Sequence, residues 1–260
     1  MNKHLALIKV GGSFITDKSV PFTAKPANIQ LFADQFAAAY RNNPDIDFIV
    51  GNGVGSFGHA SAQQYGLRSG AAIADQTYGT AVTHNGARRI NSMVAEALAE
   101  QGVPAFGLSP AGFMLYDHAR VISSYFEVIT QLLVSRSVPL LHGDTMIDTL
   151  PGTTIASTEM ILQLCLEAFR ASYDKITVIY IMNTDGVLDN NGKTIAALTT
   201  TEKIHIYKKV GFDVSNSING KIASARKAAH LADTVYLISG NSKDGLQAVL
   251  AGKQIGTLVT

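Results

Sequence analysis

Short apolar runs of strand length alternate with longer amphipathic stretches along the chain. The apolar runs cover residues 5–10, 48–50, 139–141, 176–182, 235–238 and 256–259. Between several of them, apolar residues recur at three- and four-residue spacing over 29–40, 91–101 and 157–169, which predicts helices. This alternation is typical of α/β proteins with a mainly parallel sheet.

One stretch breaks the alternation, and no linker divides the chain. Residues 148–155, which surround Pro151 and Gly152, predict a small hairpin. At 260 residues the chain can bury a large core. We therefore expect one domain over residues 1–260, with N- and C-terminal lobes that meet at a cleft.

Composition excludes several classes of protein. Lys and Arg number 21 against 20 Asp and Glu, a net charge of +1, which argues against nucleic acid as the main partner. The single cysteine, Cys165, excludes an intrachain disulfide and a cysteine-rich metal site. No apolar run approaches the ~18 residues of a membrane helix, and the opening run is too short for a signal peptide. We expect a cytoplasmic protein without a membrane partner.

The first apolar run leads into a glycine turn flanked by lysines. The sequence reads KVGGS over residues 9–13 and ITDK over residues 15–18. Consecutive glycines allow the backbone N–H groups to approach and surround an anion. Lys9 and Lys18 could then place two ammonium groups near one phosphate, although Gly-Gly alone is more often a simple tight turn.

A second glycine loop, GNGVGSFGH over residues 51–59, follows the next apolar run. A strand, a glycine turn and a helix N-terminus together form an anion cradle. Residues 53–58 also satisfy the G-x-G-x-x-G pattern of dinucleotide-binding proteins. That class requires an acidic residue after the next strand, about 20 residues further on, and the sequence around Tyr78 has no such strand. The pattern favours phosphate binding without a dinucleotide fold.

Two such loops on neighbouring strands would hold two anions face to face. This is the geometry of phosphoryl transfer, where catalysis depends on positioning and charge stabilisation. An acceptor that is already a phosphate monoester, with a second pKa of about 6, is an anionic nucleophile and needs no general base. Lysines and backbone N–H groups are sufficient for such a reaction.

The two loops together resemble the amino acid kinase superfamily, and within it the isopentenyl phosphate kinases. Gly79 with His84, PLLHGD over residues 139–144, Asp185-Gly186 and Gly256-Thr257 resemble later family motifs in the correct order. The resemblance implies a three-layer α/β/α sandwich with a mainly parallel central sheet. The acceptor would bind over residues 1–170, and ATP with Mg²⁺ over residues 171–260, in a homodimer.

The resemblance also implies roles for individual residues. Lys9, Lys18 and Lys221 would surround the transferring phosphoryl group, with Lys18 stabilising its charge, and His59 would hold the acceptor phosphate. The catalytic set is Lys9, Lys18, His59, Glu159 and Lys221. The nucleotide-binding set is Gly11, Gly12, Ser13, Gly55, Asn183, Asp185, Ser217 and Lys221. The acceptor-binding set is Gly53, Val54, His59, Gly143, Asp144 and Ser157, and no residue is assigned to a metal.

Some positions depart from the family pattern. Asn52 and Val54 stand where members show histidine and glycine, and the branched Val54 side chain would crowd an acceptor phosphate. Glu159 extends the usual carboxylate by one methylene, and residues 215–217 read SNS in place of a Thr-Gly-Gly loop. His84, as a helical histidine, is more often structural. His142 fits a strand-end role and a site role equally, and Asp144 could position a lysine or Mg²⁺ or cap the hairpin.

Three functions stay open from the sequence. The first is a kinase that converts isopentenyl phosphate to its diphosphate, and the second is a phosphonate kinase that resembles fosfomycin kinases. The third is a nucleotide-binding sensor without catalysis, which would not require Lys18 together with Lys221. An isoprenoid acceptor needs an apolar pocket, whereas a small phosphonate needs polar closure.

Overall fold

The computed structural model describes residues 3–67, 76–149, 153–201 and 214–260. The elements before residue 157 are β1 (His4–Val10), α1 (Gly12–Ile15), α2 (Pro26–Asn42), β2 (Ile46–Asn52), α3 (Ser56–Gln64), α4 (Gln76–Glu100), β3 (Ala105–Gly107), β4 (Met114–Asp117), β5 (Arg120–Ser124), α5 (Glu127–Val134), β6 (Val138–His142), β7 (Asp144–Ile147) and β8 (Thr153–Ala156). Those that follow are α6 (Thr158–Phe169), β9 (Lys175–Met182), β10 (Ala197–Leu198), α7 (Val214–Ala229), β11 (Thr234–Ser239), α8 (Gly245–Leu250) and β12 (Thr257–Val259).

Eight strands form one sheet in the order β10-β12-β11-β9-β1-β2-β6-β3. The strands from β11 to β3 run parallel to their neighbours, whereas β12 runs antiparallel to β11. The central pair, β1 and β9, joins a strand from the N-terminal part of the chain to one from the C-terminal part. The sheet is therefore continuous through the boundary near residue 170 that the sequence suggested between the two lobes.

Alternate side chains of β1 enter different hydrophobic cores. Ala6, Ile8 and Val10 pack into a core with α2, α4 and α8, and Leu5 and Leu7 pack into a core with α5, α6 and α7. Strands buried on both faces read as continuous apolar runs, which is why the sequence revealed them. The two cores confirm the predicted three-layer α/β/α sandwich.

The β7–β8 hairpin begins earlier in the chain than the sequence predicted, at Asp144 and not at residue 148. Asp144 pairs with Ala156 and Ile147 with Thr153, so β7 begins directly after β6. The predicted tip at Pro151 and Gly152 lies outside the described residues. The hairpin therefore starts at the sheet edge itself, beside the end of β6.

The helix α4 is much longer than the predicted 91–101 segment. Its first half contains glycines and hydroxylated residues, which weakens the helical signal in the sequence. Those glycines serve packing, because a Cβ at Gly79 would lie 2.3 Å from Tyr65 Cβ and one at Gly86 would lie 2.2 Å from the Phe57 carbonyl oxygen. Close contact with α3 thus explains both glycines. No helix within the described ranges is long and apolar enough to span a bilayer.

The two glycine loops touch each other backbone to backbone. A Cβ at Gly12 would lie 2.6 Å from the Gly55 nitrogen, and one at Gly53 would lie 2.5 Å from the Gly12 nitrogen. Gly55 also has a φ of +50°, a conformation that side chains disfavour. Glycine at these positions is required by contact between the loops.

Replacing Gly53 by Ala is expected to lower the free energy of unfolding by about 1–3 kcal/mol, because the new methyl group would overlap rigid backbone. Urea denaturation measures the change. Gly112→Ala is the matched control, since a Cβ there meets nothing within 4 Å. A Gly53→Ala protein as stable as this control would contradict the described contact.

Candidate active site

Four neighbouring parallel strands end side by side. Val10 is in register with Ile181 of β9 and Asn52 of β2, and Asn52 is in register with His142 of β6. The segments that follow these strands include both glycine loops and Gly143. They meet at one edge of the sheet, where open α/β sheets bind ligands.

The backbone N–H groups of the two loops divide into two sets. Gly11 donates to the Ile181 carbonyl at 2.9 Å and Gly53 donates to the Val10 carbonyl at 2.8 Å. The expectation that these two N–H groups meet phosphate is therefore wrong, because they fasten the loops to the sheet. Among the described residues, the N–H groups of the remaining loop positions have no acceptor: Gly12, Ser13, Val54 and Gly55. These four can bind an anion.

Val54 is accommodated by a glycine one helical turn away. A Cβ at Gly58 would lie 2.6 Å from Val54 Cγ2, so the valine side chain occupies the space that Gly58 leaves open. Val54 thus packs toward α3, and its backbone N–H stays available. The predicted crowding of the acceptor phosphate does not arise from this side-chain position.

Lys9 and Glu159 form an ion pair with an Nζ–Oε1 distance of 2.7 Å. Lys9 is buried on β1, and Glu159 lies in the first turn of α6, where Ser157 caps the helix by accepting from the Met160 N–H. Burial would raise the pKa of Glu159, but the Lys9 ammonium outweighs it and holds that pKa below its ordinary value. Burial and the Glu159 charge also raise the pKa of Tyr180. The pair places a buried cation below the loops.

Lys221 on α7 and Lys18 after α1 belong to the same charged group. Burial, together with the positive charges of Lys9 and Lys18, lowers the pKa of Lys221 to about 8, although the Glu159 charge opposes this shift. Lys18 itself is exposed. The structure therefore brings together Lys9, Lys18, Glu159 and Lys221, and leaves an excess of positive charge at the sheet edge.

Thr158 fixes the start of α6 against two strand ends, a role that sequence reasoning missed. Its hydroxyl donates to the Asn52 carbonyl at 2.9 Å and accepts from the Gly143 N–H at 2.9 Å. One side chain therefore sets the positions of β2, β6 and the helix that carries Glu159. The Gly143 N–H is consumed here, so Gly143 does not offer it to an acceptor.

Asp144 does not contact the open edge, contrary to the expectation that it binds the acceptor. Its side chain is 0% exposed and accepts from His84 Nδ1 at 2.8 Å, from the Thr145 N–H and from Ser109 Oγ at 3.2 Å. Ser109 Oγ also lies 3.2 Å from His142 Nε2, and burial lowers the pKa of His142. Asp144, Ser109 and His142 thus form a hydrogen-bonded group behind the edge, and His84 of α4 contacts this group through Asp144. His59, near the start of α3, is exposed at the edge.

On the opposite side, Asn183 follows β9 and contacts the first glycine loop. Its amide donates to the Ser13 carbonyl at 3.0 Å, and Lys25 Nζ donates to the same oxygen at 3.2 Å. Asp185 is exposed nearby. For Ser217 only the backbone, within α7, is described, so its predicted contact with a nucleotide lies outside the described side chains.

Asn52, which replaces a family histidine, belongs to a buried amide pair. Its Oδ1 accepts from Asn91 Nδ2 at 2.8 Å, and its own Nδ2 is buried without a partner among the described residues. Asn91 also donates weakly to the Leu140 carbonyl at 3.3 Å. Asn52 therefore links β2 to α4. Its neutral side chain adds no positive charge to the glycine loops.

Two cavities lie beside α4, outside the glycine loops. One of about 320 Å³ is lined by Arg88, Asn91 and His142 among others, and one of about 390 Å³ by Phe22 and Tyr78 among others. Neither contains the four N–H groups or the lysines. Converging donors and charge, and not cavity size, therefore mark the candidate site.

A mainly parallel sheet whose carboxyl edge carries lysines and N–H groups that have no acceptor among the described residues is typical of proteins that bind phosphate groups. A model of the amino acid kinase family matches residues 4–239. The chain belongs to the amino acid kinase family.

Similar proteins align with nearly the whole chain. The isopentenyl phosphate kinase of Methanocaldococcus jannaschii is 28% identical, with 97% of each chain covered. That of Methanothermobacter thermautotrophicus is 26% identical, over 98% of this chain and 99% of the relative. A crystal structure of an isopentenyl phosphate kinase substrate complex superimposes with a TM-score of 0.78 at 22% identity, over 98% of this chain and 100% of the other. At that identity the superposition shows the shared fold.

Lys221→Met is expected to raise the free energy of unfolding of the ligand-free protein at pH 7 by on the order of 1–3 kcal/mol. The native pKa of about 8 lies below the ordinary 10.5, so the charged form is destabilised in the folded state. The loss of stability caused by the charged Lys221 is complete below pH 8, and it disappears as the pH rises toward 10.5. Denaturant titrations of both proteins at pH 7 and pH 10 measure it.

The control is Lys253→Met, because Lys253 is exposed and should change stability by less than about 0.5 kcal/mol. A Lys221→Met protein that is less stable than the parent at pH 7 would show that Lys221 is not electrostatically strained.

Proposed function

We propose that this protein is an ATP-dependent kinase that converts isopentenyl phosphate to isopentenyl diphosphate. The observation that carries the proposal is the meeting of four unpaired N–H groups with Lys9, Lys18 and Lys221 at one edge. Two reacting anions repel each other, and such a site offsets the repulsion. The named relatives, similar over almost their full length, support this acceptor.

In this proposal ATP lies over β9, β11 and α7, with its terminal phosphates at the first glycine loop and Lys221. The acceptor lies over β2 and β6, in a space bounded by the second glycine loop, α3, α4 and the β7–β8 hairpin, which we term the acceptor cleft. His59, exposed at the start of α3, binds the acceptor phosphate. Both sites share the line of contact between Gly12 and Gly55.

The reaction then needs little from the protein beyond position and charge. An oxygen of the acceptor phosphate attacks the γ-phosphorus in line, the bond to the β–γ bridging oxygen breaks, and ADP leaves. The acceptor is already anionic, so no side chain needs to remove a proton. Lys9 and Lys18 stabilise charge on the transferring group, Lys221 binds ATP phosphates, and Glu159 orients Lys9.

An isoprenoid tail also has apolar partners in the cleft. Ile147 and Ile155 lie on the same face of the β7–β8 hairpin, because Ile147 pairs with Thr153 and Thr145 pairs with Ile155. Ile147 is 52% exposed, so its side chain is open to contact with a ligand. A short hydrocarbon tail would cover it.

Mg²⁺ fits this site only as a companion of the nucleotide. Within the described residues no group of three His, Cys, Asp or Glu side chains could hold a metal ion. Glu159 is occupied by Lys9. The ATP phosphates would therefore supply most of the ligands, and no step above depends on the metal.

Cytoplasmic location and a homodimer are further parts of the proposal. A dimer is supported by large apolar side chains that are exposed between residues 106 and 134, namely Phe106, Ile122, Tyr125 and Val134. Contiguous apolar patches mark interfaces, and a dimer interface that includes these side chains would remove them from water.

A phosphonate kinase is the second candidate function. Three threonines, Thr80, Thr145 and Thr153, lie where α4 meets the hairpin, and such hydroxyls would suit the polar closure around a small phosphonate. Turnover of fosfomycin but not of isopentenyl phosphate would favour it.

Lys18→Ala is expected to lower kcat for isopentenyl phosphate by about 10²–10³, because one cation that stabilises transition-state charge is lost. Binding of ATP, measured by calorimetry, should change by less than about threefold. Lys253→Ala, at an exposed lysine distant in sequence, is the control. Unchanged turnover would refute the role of Lys18, and lost ATP binding would place it in the nucleotide site.

His59→Ala is expected to raise KM for isopentenyl phosphate at least about tenfold, since a charge-assisted hydrogen bond to phosphate is lost. The dissociation constant for ATP should stay nearly constant. Initial rates over both substrate concentrations separate the effects. Equal losses for both substrates would count against placing His59 at the acceptor.

A further inference from the structure

His84 lies on α4, one of the elements that bound the acceptor cleft. Its imidazole reaches Asp144, the first residue of β7. Asp144 follows β6, whose neighbour β2 leads into the second glycine loop. Adjacent strands are about 5 Å apart, so His84 lies roughly one or two strand spacings from the backbone that would hold the acceptor phosphate.

The hydrogen bond to Asp144 fixes which nitrogen of His84 is available. A carboxylate only accepts hydrogen bonds, so Nδ1 carries the proton in the 2.8 Å contact. In the neutral ring, Nε2 is then left as a hydrogen-bond acceptor. The carboxylate is 0% exposed and is held by Ser109 and the Thr145 N–H, which makes the ring orientation rigid.

Nε2 of His84 has no partner within the described part of the chain, and the side chain is 28% exposed. A saturated or olefinic tail packed against this nitrogen would leave a polar atom covered and unpaired, which is unfavourable. A hydroxyl in the same place would donate to it. The wall around His84 is also partly polar, because Thr80 Oγ1 and Thr153 Oγ1 lie 3.0 Å apart beside it.

We propose that His84 determines acceptor specificity, and that the cleft accepts phosphate monoesters with a hydroxyl group at the end of the tail remote from the phosphate. This inference rests on the proposed kinase function. The apolar face of Ile147 and Ile155 would hold the carbon chain, and His84 would accept the hydrogen bond from the hydroxyl. Asp144 acts through His84, as a positioning residue.

The test compares two acceptors of equal carbon skeleton, isopentenyl phosphate and 3-hydroxy-3-methylbutyl phosphate. The parent protein is expected to use the hydroxylated acceptor with a kcat/KM at least equal to that for isopentenyl phosphate. His84→Asn retains a donor for Asp144 near the position of Nδ1 and removes the acceptor Nε2. It should lower kcat/KM for the hydroxylated acceptor at least about tenfold more than it lowers kcat/KM for isopentenyl phosphate, mainly through KM.

His84→Gln, which places a carbonyl oxygen or amide near the Nε2 position, should restore part of the preference for the hydroxylated acceptor. Thermal denaturation of each variant shows whether the fold is retained, and His84→Asn is chosen because it preserves the contact with Asp144. Equal losses for both acceptors in His84→Asn, or a parent protein that uses isopentenyl phosphate and rejects the hydroxylated acceptor, would overturn the inference and leave the kinase function standing.

If neither acceptor is phosphorylated, the proposed kinase function fails, and direct binding still tests His84. Calorimetry with each phosphate then measures the dissociation constants for the parent protein and His84→Asn. Selective weakening of the hydroxylated acceptor supports recognition by His84. Equal dissociation constants for both proteins, or no binding of either phosphate, would refute it.

Discussion

The candidate site depends on direct backbone contact between two glycine loops. Gly12 and Gly53 approach so closely that a methyl group on either would overlap the other loop. That approach aligns two sets of unpaired N–H groups, and it exists because the Gly11 and Gly53 N–H groups are bound to strand carbonyls. The sheet therefore sets the spacing of two anion sites, and side chains only add charge to them.

Three lysines lie close together around this contact, and the Glu159 carboxylate compensates only part of their positive charge. Glu159 neutralises Lys9, but Lys18 and Lys221 remain, and burial together with the charges of Lys9 and Lys18 lowers the pKa of Lys221. A cluster of like charges that includes a residue with a lowered pKa is typical of a functional site. An anion bound there would offset the unfavourable burial of these charges.

Local sequence patterns predicted the parts of the fold that have strong local signals. Runs of consecutive apolar residues in β1 and β9 indicated buried strands, and the spacing in α6 indicated its helix. Hydrophobic periodicity did not reveal the first half of α4, because its glycines reflect contact with α3. The sequence did not reveal that the Asp144 side chain is buried against His84, because a motif gives no side-chain direction. Thr158 was missed because its partners, Asn52 and Gly143, are distant in sequence.

The ion pair between Lys9 and Glu159 has a consequence for selectivity among anions. In the ligand-free protein Glu159 serves as an internal counter-ion, so an incoming anion must compete with a carboxylate that is already seated 2.7 Å from the ammonium. Monovalent ions such as chloride gain too little to displace it, whereas a polyphosphate also gains from the other lysines and the backbone donors. The Glu159 carboxylate thereby favours anions that reach the other lysines and the backbone donors as well as Lys9.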